Sequence, residues 1–289
     1  MKNKVLITLS YLYLYIPICL FLFGWVKPLI AVPIILISAY CLFSNIKFFP
    51  DIQFNIFENR KKLFIILGII FIWVFLSGIG GFVWQNRWDH MFRNAIFKDL
   101  FSYGWPVVNY DGSTPVNLCY YIGFWLPSAF VAKLFNSITV GYIFQFLWGL
   151  LGVILAFGLI SVWLKKVSYK TLLIFIFFSG LDIIAFIFLS FRHYIEGVPH
   201  IEFQTILFNS SSNTTLLFWL YNQIIPFWIG FMLLLLQKNK KYLFFTYSLL
   251  ILFAPFPALA LVPVIIFWEL RDIKQTQILC NKLHRLFGE

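Results

Sequence analysis

Two polar stretches interrupt an otherwise apolar chain, and they hold the residues able to do chemistry. The first reads Trp84-Gln85-Asn86-Arg87-Trp88-Asp89-His90-Met91-Phe92-Arg93-Asn94. Asp89 and His90 stand where the chain leaves an apolar run. A carboxylate there can take a proton from a hydroxyl arriving from water, while Arg87 and Arg93 can hold an anion such as a phosphate. The same pattern also suits a helix start, with Asp89 as cap and Arg87 or Arg93 as its ion-pair partner. Asp182 follows Ser179-Gly180-Leu181 inside an apolar run, where a carboxylate costs about 2.5–3.5 kcal/mol to insert. Such an acid faces a polar cavity, where it can orient a substrate or bind a divalent metal ion, or it pairs with a base or a helix N-terminus. The second stretch, 192–213, carries Arg192, His193, Glu196, His200 and Glu202. Arg192 is a further candidate for substrate binding. The spacing of the histidines fits no defined zinc pattern, and a solvated loop explains it as well. Asn209-Ser210-Ser211 and Asn213-Thr214-Thr215 match the glycan-acceptor pattern, which matters only in a secretory setting. Asn222 and Gln223, just before Pro226, can line a cavity for substrate or pair between packed helices.

The elements that must position these groups are membrane helices. Of 289 residues, 61% are hydrophobic and only 11% charged, against about 25% charged in soluble domains. The net charge of +11 is scattered between apolar runs, which excludes a nucleic-acid patch and fits loops on the inner face of a membrane. None of the four cysteines forms a Cys-x-x-Cys pair, so neither a disulfide framework nor a zinc site is expected. No glycine-rich phosphate loop, Gly-x-Ser-x-Gly or His-Glu-x-x-His is present, leaving ATP-driven transport and membrane metalloprotease chemistry without support.

The pattern predicts an all-α polytopic membrane protein with seven or eight transmembrane helices and membrane lipids as its surroundings. An N-terminal helical hairpin covers 5–44 and a span covers 63–83. An outer loop with surface helices covers 84–138, further spans fill 139–270, and a short tail covers 271–289. Within the loop, Phe92, Ile96, Phe97, Leu100 and Phe101 recur at helical spacing, with His90, Arg93, Asn94, Lys98 and Asp99 on the other face. This predicts an amphipathic helix on the membrane from about Met91 to Tyr103. If 118–135 stays on the outer side and the Ala254-Pro255-Phe256-Pro257 break folds 243–270 into a hairpin, 16 of the 22 Lys and Arg lie inside and 6 outside. If both segments cross once, the division is 12 to 10, which is no bias.

A span, an early acid, surface helices and then Cys119-Tyr120-Tyr121-Ile122-Gly123-Phe124-Trp125-Leu126-Pro127 resemble the membrane-embedded GT-C-type glycosyltransferases. Asp182, after the basic turn of Lys165, Lys166 and Lys170, matches the second outer acid of that family. The resemblance covers roughly 63–270 and implies a compact or shortened relative. It implies transfer of a sugar from a polyprenyl-phosphate donor in cell-envelope or surface-polysaccharide assembly at a bacterial cell membrane. Asp89 would then be the catalytic base, beside His90. A reading from another class is a non-catalytic transporter, or a protein handling lipid or polysaccharide, with Asp182, Asn222 and Gln223 as its polar interior.

Overall fold

Runs of Leu, Ile, Phe and Val longer than a soluble core can hide become long helices here, because in lipid each backbone N–H and C=O must be bonded internally. In the computed structural model, residues 2–50, 52–85, 88–111, 113–179, 211–237 and 240–268 are described. Helices α1 (Lys2–Trp25) and α2 (Pro28–Phe48) form the N-terminal hairpin, followed by α3 (Arg60–Leu76) and α4 (Asp89–Ser102). Strands β1 (Val108–Asp111) and β2 (Thr114–Asn117) come next, then a 3-10 turn at Ile122–Phe124 and α5 (Leu126–Leu134). The rest is α6 (Ile138–Trp163), α7 (Tyr169–Phe177), α8 (Asn213–Leu236), α9 (Leu243–Ser248) and α10 (Pro255–Trp268). Among the described residues α1, α2, α6 and α8 are long and apolar enough to cross a membrane. The chain is a mostly helical membrane protein.

Side-chain contacts fix which ends lie together. Asn3 Nδ2 donates to the carbonyls of Ile52 and Phe54, so the start of α1 meets the segment after α2. Lys62 lies over the Tyr169 ring, bringing the start of α3 to the start of α7. At the opposite end Trp25 packs on Trp105, which joins the α1–α2 turn to the segment after α4. The interior is knitted by a buried ring of polar groups. Asn45 Nδ2 donates to the Tyr11 hydroxyl, Gln237 Nε2 donates to Asn45 Oδ1, and Thr246 Oγ1 donates to Gln237 Oε1. These bonds tie α1, α2, α8 and α9 together away from water, where leaving such groups unpaired would be costly.

Two features, the end of α3 and a pair of strands, differ from the sequence reading, while 118–135 and 243–270 take the short helix and the break it expects. The expected span 63–83 ends at Leu76, because Ser77 Oγ bonds back to the Val74 carbonyl and Gly78, Gly80 and Gly81 take left-handed φ of 82°, 81° and 77°. An α-helix cannot continue through such residues. The fold is not purely α-helical, since β1 and β2 pair antiparallel in the register Val108↔Asn117 to Asp111↔Thr114. Within 118–135, α5 is only nine residues long, about 13 Å, well short of a bilayer core of about 30 Å. Residues 249–254 break 243–270, and the Tyr247 hydroxyl reaches the carbonyl of Ala258. Eleven residues of straight helix would separate those positions by about 16 Å, beyond a tyrosine's reach, so the chain turns at the break.

The amphipathic helix expected near Met91 to Tyr103 is α4, and its faces sort differently from expectation. The buried stripe is His90, Arg93, Phe97 and Leu100, while Met91 and Phe92 are exposed. The expected partition set lipid against water. In the structure α4 lies against protein, with Phe97 packing on Tyr142 of α6. Its inner face therefore accepts polar groups wherever the neighbouring helices offer partners.

Candidate functional site

The site is assembled at the N-terminal end of α4. The segment leaving α3 doubles back through Gly78, whose φ of 82° and contact with the Trp84 carbonyl leave no room for a Cβ. Gln85 Nε2 donates to the Gly78 carbonyl at 2.7 Å, and Gln85 Oε1 accepts from Asn94 Nδ2 at 2.7 Å. One glutamine thus fastens the turn after α3 to the second turn of α4. His90 supplies a further tie: its Nε2 lies 3.3 Å from the Ser77 carbonyl, and its ring packs against Trp84. Burial, then the charge of Arg93, pull the His90 pKa below its ordinary 6.5, so the neutral ring donates to Ser77. At the other end of α4, Lys133 Nζ donates to the carbonyls of Phe101 and Tyr103 and closes the helix terminus.

The fastened helix presents Asp89 and Arg93 differently. Asp89 is 43% exposed and Arg93 only 4%. Arg93 Nη2 donates to Asp89 Oδ1 at 3.5 Å, and the guanidinium lies 5.3 Å over the Tyr221 ring. Arg93 Nη1 is buried without a hydrogen-bond partner among the described residues. A guanidinium has five donors, so this one is a buried cation with incomplete anionic company.

Helix α8 provides the facing wall. Leu220 breaks its helical geometry, and Pro226 lacks the N–H that would bond the Asn222 carbonyl. The break falls at Tyr221, Asn222 and Gln223. The Tyr221 hydroxyl accepts from Gln145 Nε2 of α6 at 3.3 Å. Asn222 is wholly buried, and neither polar atom of its amide has a partner among the described residues. Gln223 is also buried. Trp84 packs on Phe218 and Trp219 of α8, closing the site's edge. Tyr120 stacks on Tyr121 with ring centroids 3.9 Å apart and remains 38% exposed. Burial and the neighbouring Tyr121 raise its phenol pKa, against the pull of Arg93.

The sequence-derived residues therefore divide. Asp89, His90 and Arg93 share one helix end, with His90 and Arg93 facing Tyr221. Asn222 and Gln223 follow Tyr221 on the same wall. Arg87, Asp182 and Arg192 lie outside the described residues, as do His193, Glu196, His200 and Glu202. Asn213 begins α8, with its amide donating to the Phe175 carbonyl. No cluster of three or more His, Cys, Asp or Glu able to hold a metal stands among the described residues. Tyr221, Gln145 and Gln85 escaped the sequence reading. Tyr221 adjoins the amides that were singled out, and Gln145 is a lone amide in an apolar helix. Gln85 carried no signal beyond its place in the loop. No family model, curated protein or solved structure matches the chain.

Proposed function

We propose that the chain is a GT-C-type membrane glycosyltransferase that takes its sugar from a polyprenyl-phosphate donor, in cell-envelope or surface-polysaccharide assembly. One observation carries the reading. A part-exposed carboxylate, Asp89, stands 3.5 Å from a buried guanidinium, Arg93, that has a nitrogen without a partner among the described residues. Asp89 takes the proton of an acceptor hydroxyl as that oxygen forms its bond to the anomeric carbon. The bond from that carbon to the phosphate oxygen breaks, and polyprenyl phosphate leaves with the electron pair. Arg93 offsets the leaving group's charge, and the exposed Tyr120–Tyr121 stack offers a face for a sugar ring. Asp182, outside the described residues, is the second acid, orienting substrate or holding a divalent metal ion. His90 holds α4 to the end of α3 and so positions Asp89.

Eight crossings, with α4, the β-hairpin and α5 on the outer face, go with this function. Trp25 against Trp105 supports a common end for the α1–α2 turn and this loop. The turn within 249–254 supports the hairpin arrangement of α9 and α10. A second reading, a non-catalytic transporter or lipid-handling protein, draws on the buried Asn222 amide inside α8, which has no partner among the described residues. The discriminating experiment offers purified protein a labelled sugar on polyprenyl phosphate or on a nucleotide. Release of polyprenyl phosphate with transfer to a hydroxyl acceptor supports the enzyme. Transfer only from the nucleotide sugar, or no transfer from either, refutes it.

A further inference from the structure

The end of the bundle remote from Asp89 has a cavity of its own, of about 320 Å³. Lys4 reaches it from the first turn of α1 and Lys47 from the last turn of α2. Ile7, Phe49 and Ile52 form apolar wall beside the two ammonium groups. The start of α1 also lines it, and the N-terminal end of a 24-residue helix carries partial positive charge that favours anions. Asn3 completes the lining. Its Nδ2 donates to the carbonyls of Ile52 at 2.6 Å and Phe54 at 2.7 Å, which fixes the orientation of the amide. Asn3 is 7% exposed, and its Oδ1 is buried with no partner among the described residues. The wall of this cavity thus combines two lysines, a helix N-terminus and apolar surface.

We propose that this cavity binds the headgroup of an anionic phospholipid from the adjacent leaflet. The phosphate sits between Lys4 and Lys47, and the first acyl carbons lie on Ile7, Phe49 and Ile52. Phosphatidylglycerol has this chemistry, whereas phosphatidylcholine has the phosphate without net negative charge. The position agrees with the basic character of this end, where Arg60, Lys61 and Lys62 open α3. Anionic lipids of the cytoplasmic leaflet attract such segments. The site is independent of sugar transfer, and its test does not depend on that activity.

Native mass spectrometry of the full chain in detergent, with equimolar phosphatidylglycerol and phosphatidylcholine, reads the lipid that stays bound. The wild type retains one phosphatidylglycerol in preference. Lys4→Gln with Lys47→Gln lowers that retention about thirtyfold, each lysine near a lipid surface being worth about fivefold. Lys4→Arg with Lys47→Arg keeps it. Lys165→Gln with Lys166→Gln, which removes charges outside the cavity, also keeps it. Equal retention by wild type and the glutamine pair would overturn the proposal. A wild type without preference between the two lipids overturns it however the variants fold. Glycerol 3-phosphate displacing phosphatidylglycerol at equal concentration overturns the lipid assignment in favour of a soluble phosphate. Asp51 lies outside the described residues, and an adduct that forms only after Asp51→Asn would make that acid, not a lipid, the partner of the lysines.

Discussion

Replacing Arg93 with Met separates a residue that holds substrate from one that holds the fold. Methionine fills a similar volume without the charge. Three terms set the stability change. Losing the guanidinium 5.3 Å over Tyr221 costs about 1–2 kcal/mol in a desolvated setting. The contact with Asp89 counts for little, because that carboxylate is 43% exposed and well screened. Removing a buried nitrogen without a partner among the described residues returns about 1–3 kcal/mol. The sum lies near zero, and a buried charge replaced by a packed apolar group is often neutral. The melting temperature should therefore shift by no more than about 4 °C. Donor binding should respond differently. A hydrogen bond to a charged group contributes about 1.5–3 kcal/mol, so affinity for a polyprenyl-phosphate sugar should weaken about 10- to 150-fold. Thermal unfolding and donor titration in one detergent measure both quantities. A fall in melting temperature beyond about 10 °C with unchanged donor affinity would refute the assignment, making Arg93 a structural partner of Asp89 and Tyr221.

Three further outcomes follow from the same geometry. Cysteines placed at Ser113 and Ser211 should both react with a membrane-impermeant reagent added outside intact cells, and reaction at only one would break the eight-crossing arrangement. Because burial holds the His90 pKa below 6.5, the unfolded chain takes up the proton first as pH falls. Stability should be level above that value and decline as pH drops through it toward the lower folded value, a decline that His90→Gln should flatten in pH-dependent melts. Gly78→Ala forces a side chain onto a residue at φ 82° against the Trp84 carbonyl, which should cost about 1–3 kcal/mol and lower both the melting temperature and activity, whereas an unchanged melt would mean the turn rearranges freely.

The membrane character, the N-terminal hairpin and the break at Pro255 were legible because hydrophobic run length and proline act locally. The start of α4 was legible for the same reason, through its spacing of apolar residues. The end of α3 was written in Ser77-Gly78-Ile79-Gly80-Gly81, a helix-stopping run that high hydropathy on both sides concealed. Asp111-Gly112-Ser113 between Val108 and Val116 is a turn signal, but the four-residue strands beside it are too short to carry a clear alternation. The inward rotation of His90 and Arg93 could not be read at all. It depends on where Tyr221 and the Ser77 carbonyl sit in space, and α8 is more than a hundred residues further along the chain. In the same way Asp89 and Arg93 were each visible, but their opposite exposures follow from packing and not from spacing.

The most direct measurement separates binding from chemistry at Asp89. Asp89→Asn keeps the size of the side chain and its ability to accept a hydrogen bond while removing the base. Donor binding and single-turnover sugar transfer are measured on the purified variant at matched protein levels. If Asp89 is the base, the donor binds within about threefold of wild type while transfer falls by at least about 10²-fold, the usual worth of a positioned general base. Transfer at the wild-type rate in Asp89→Asn would contradict the account.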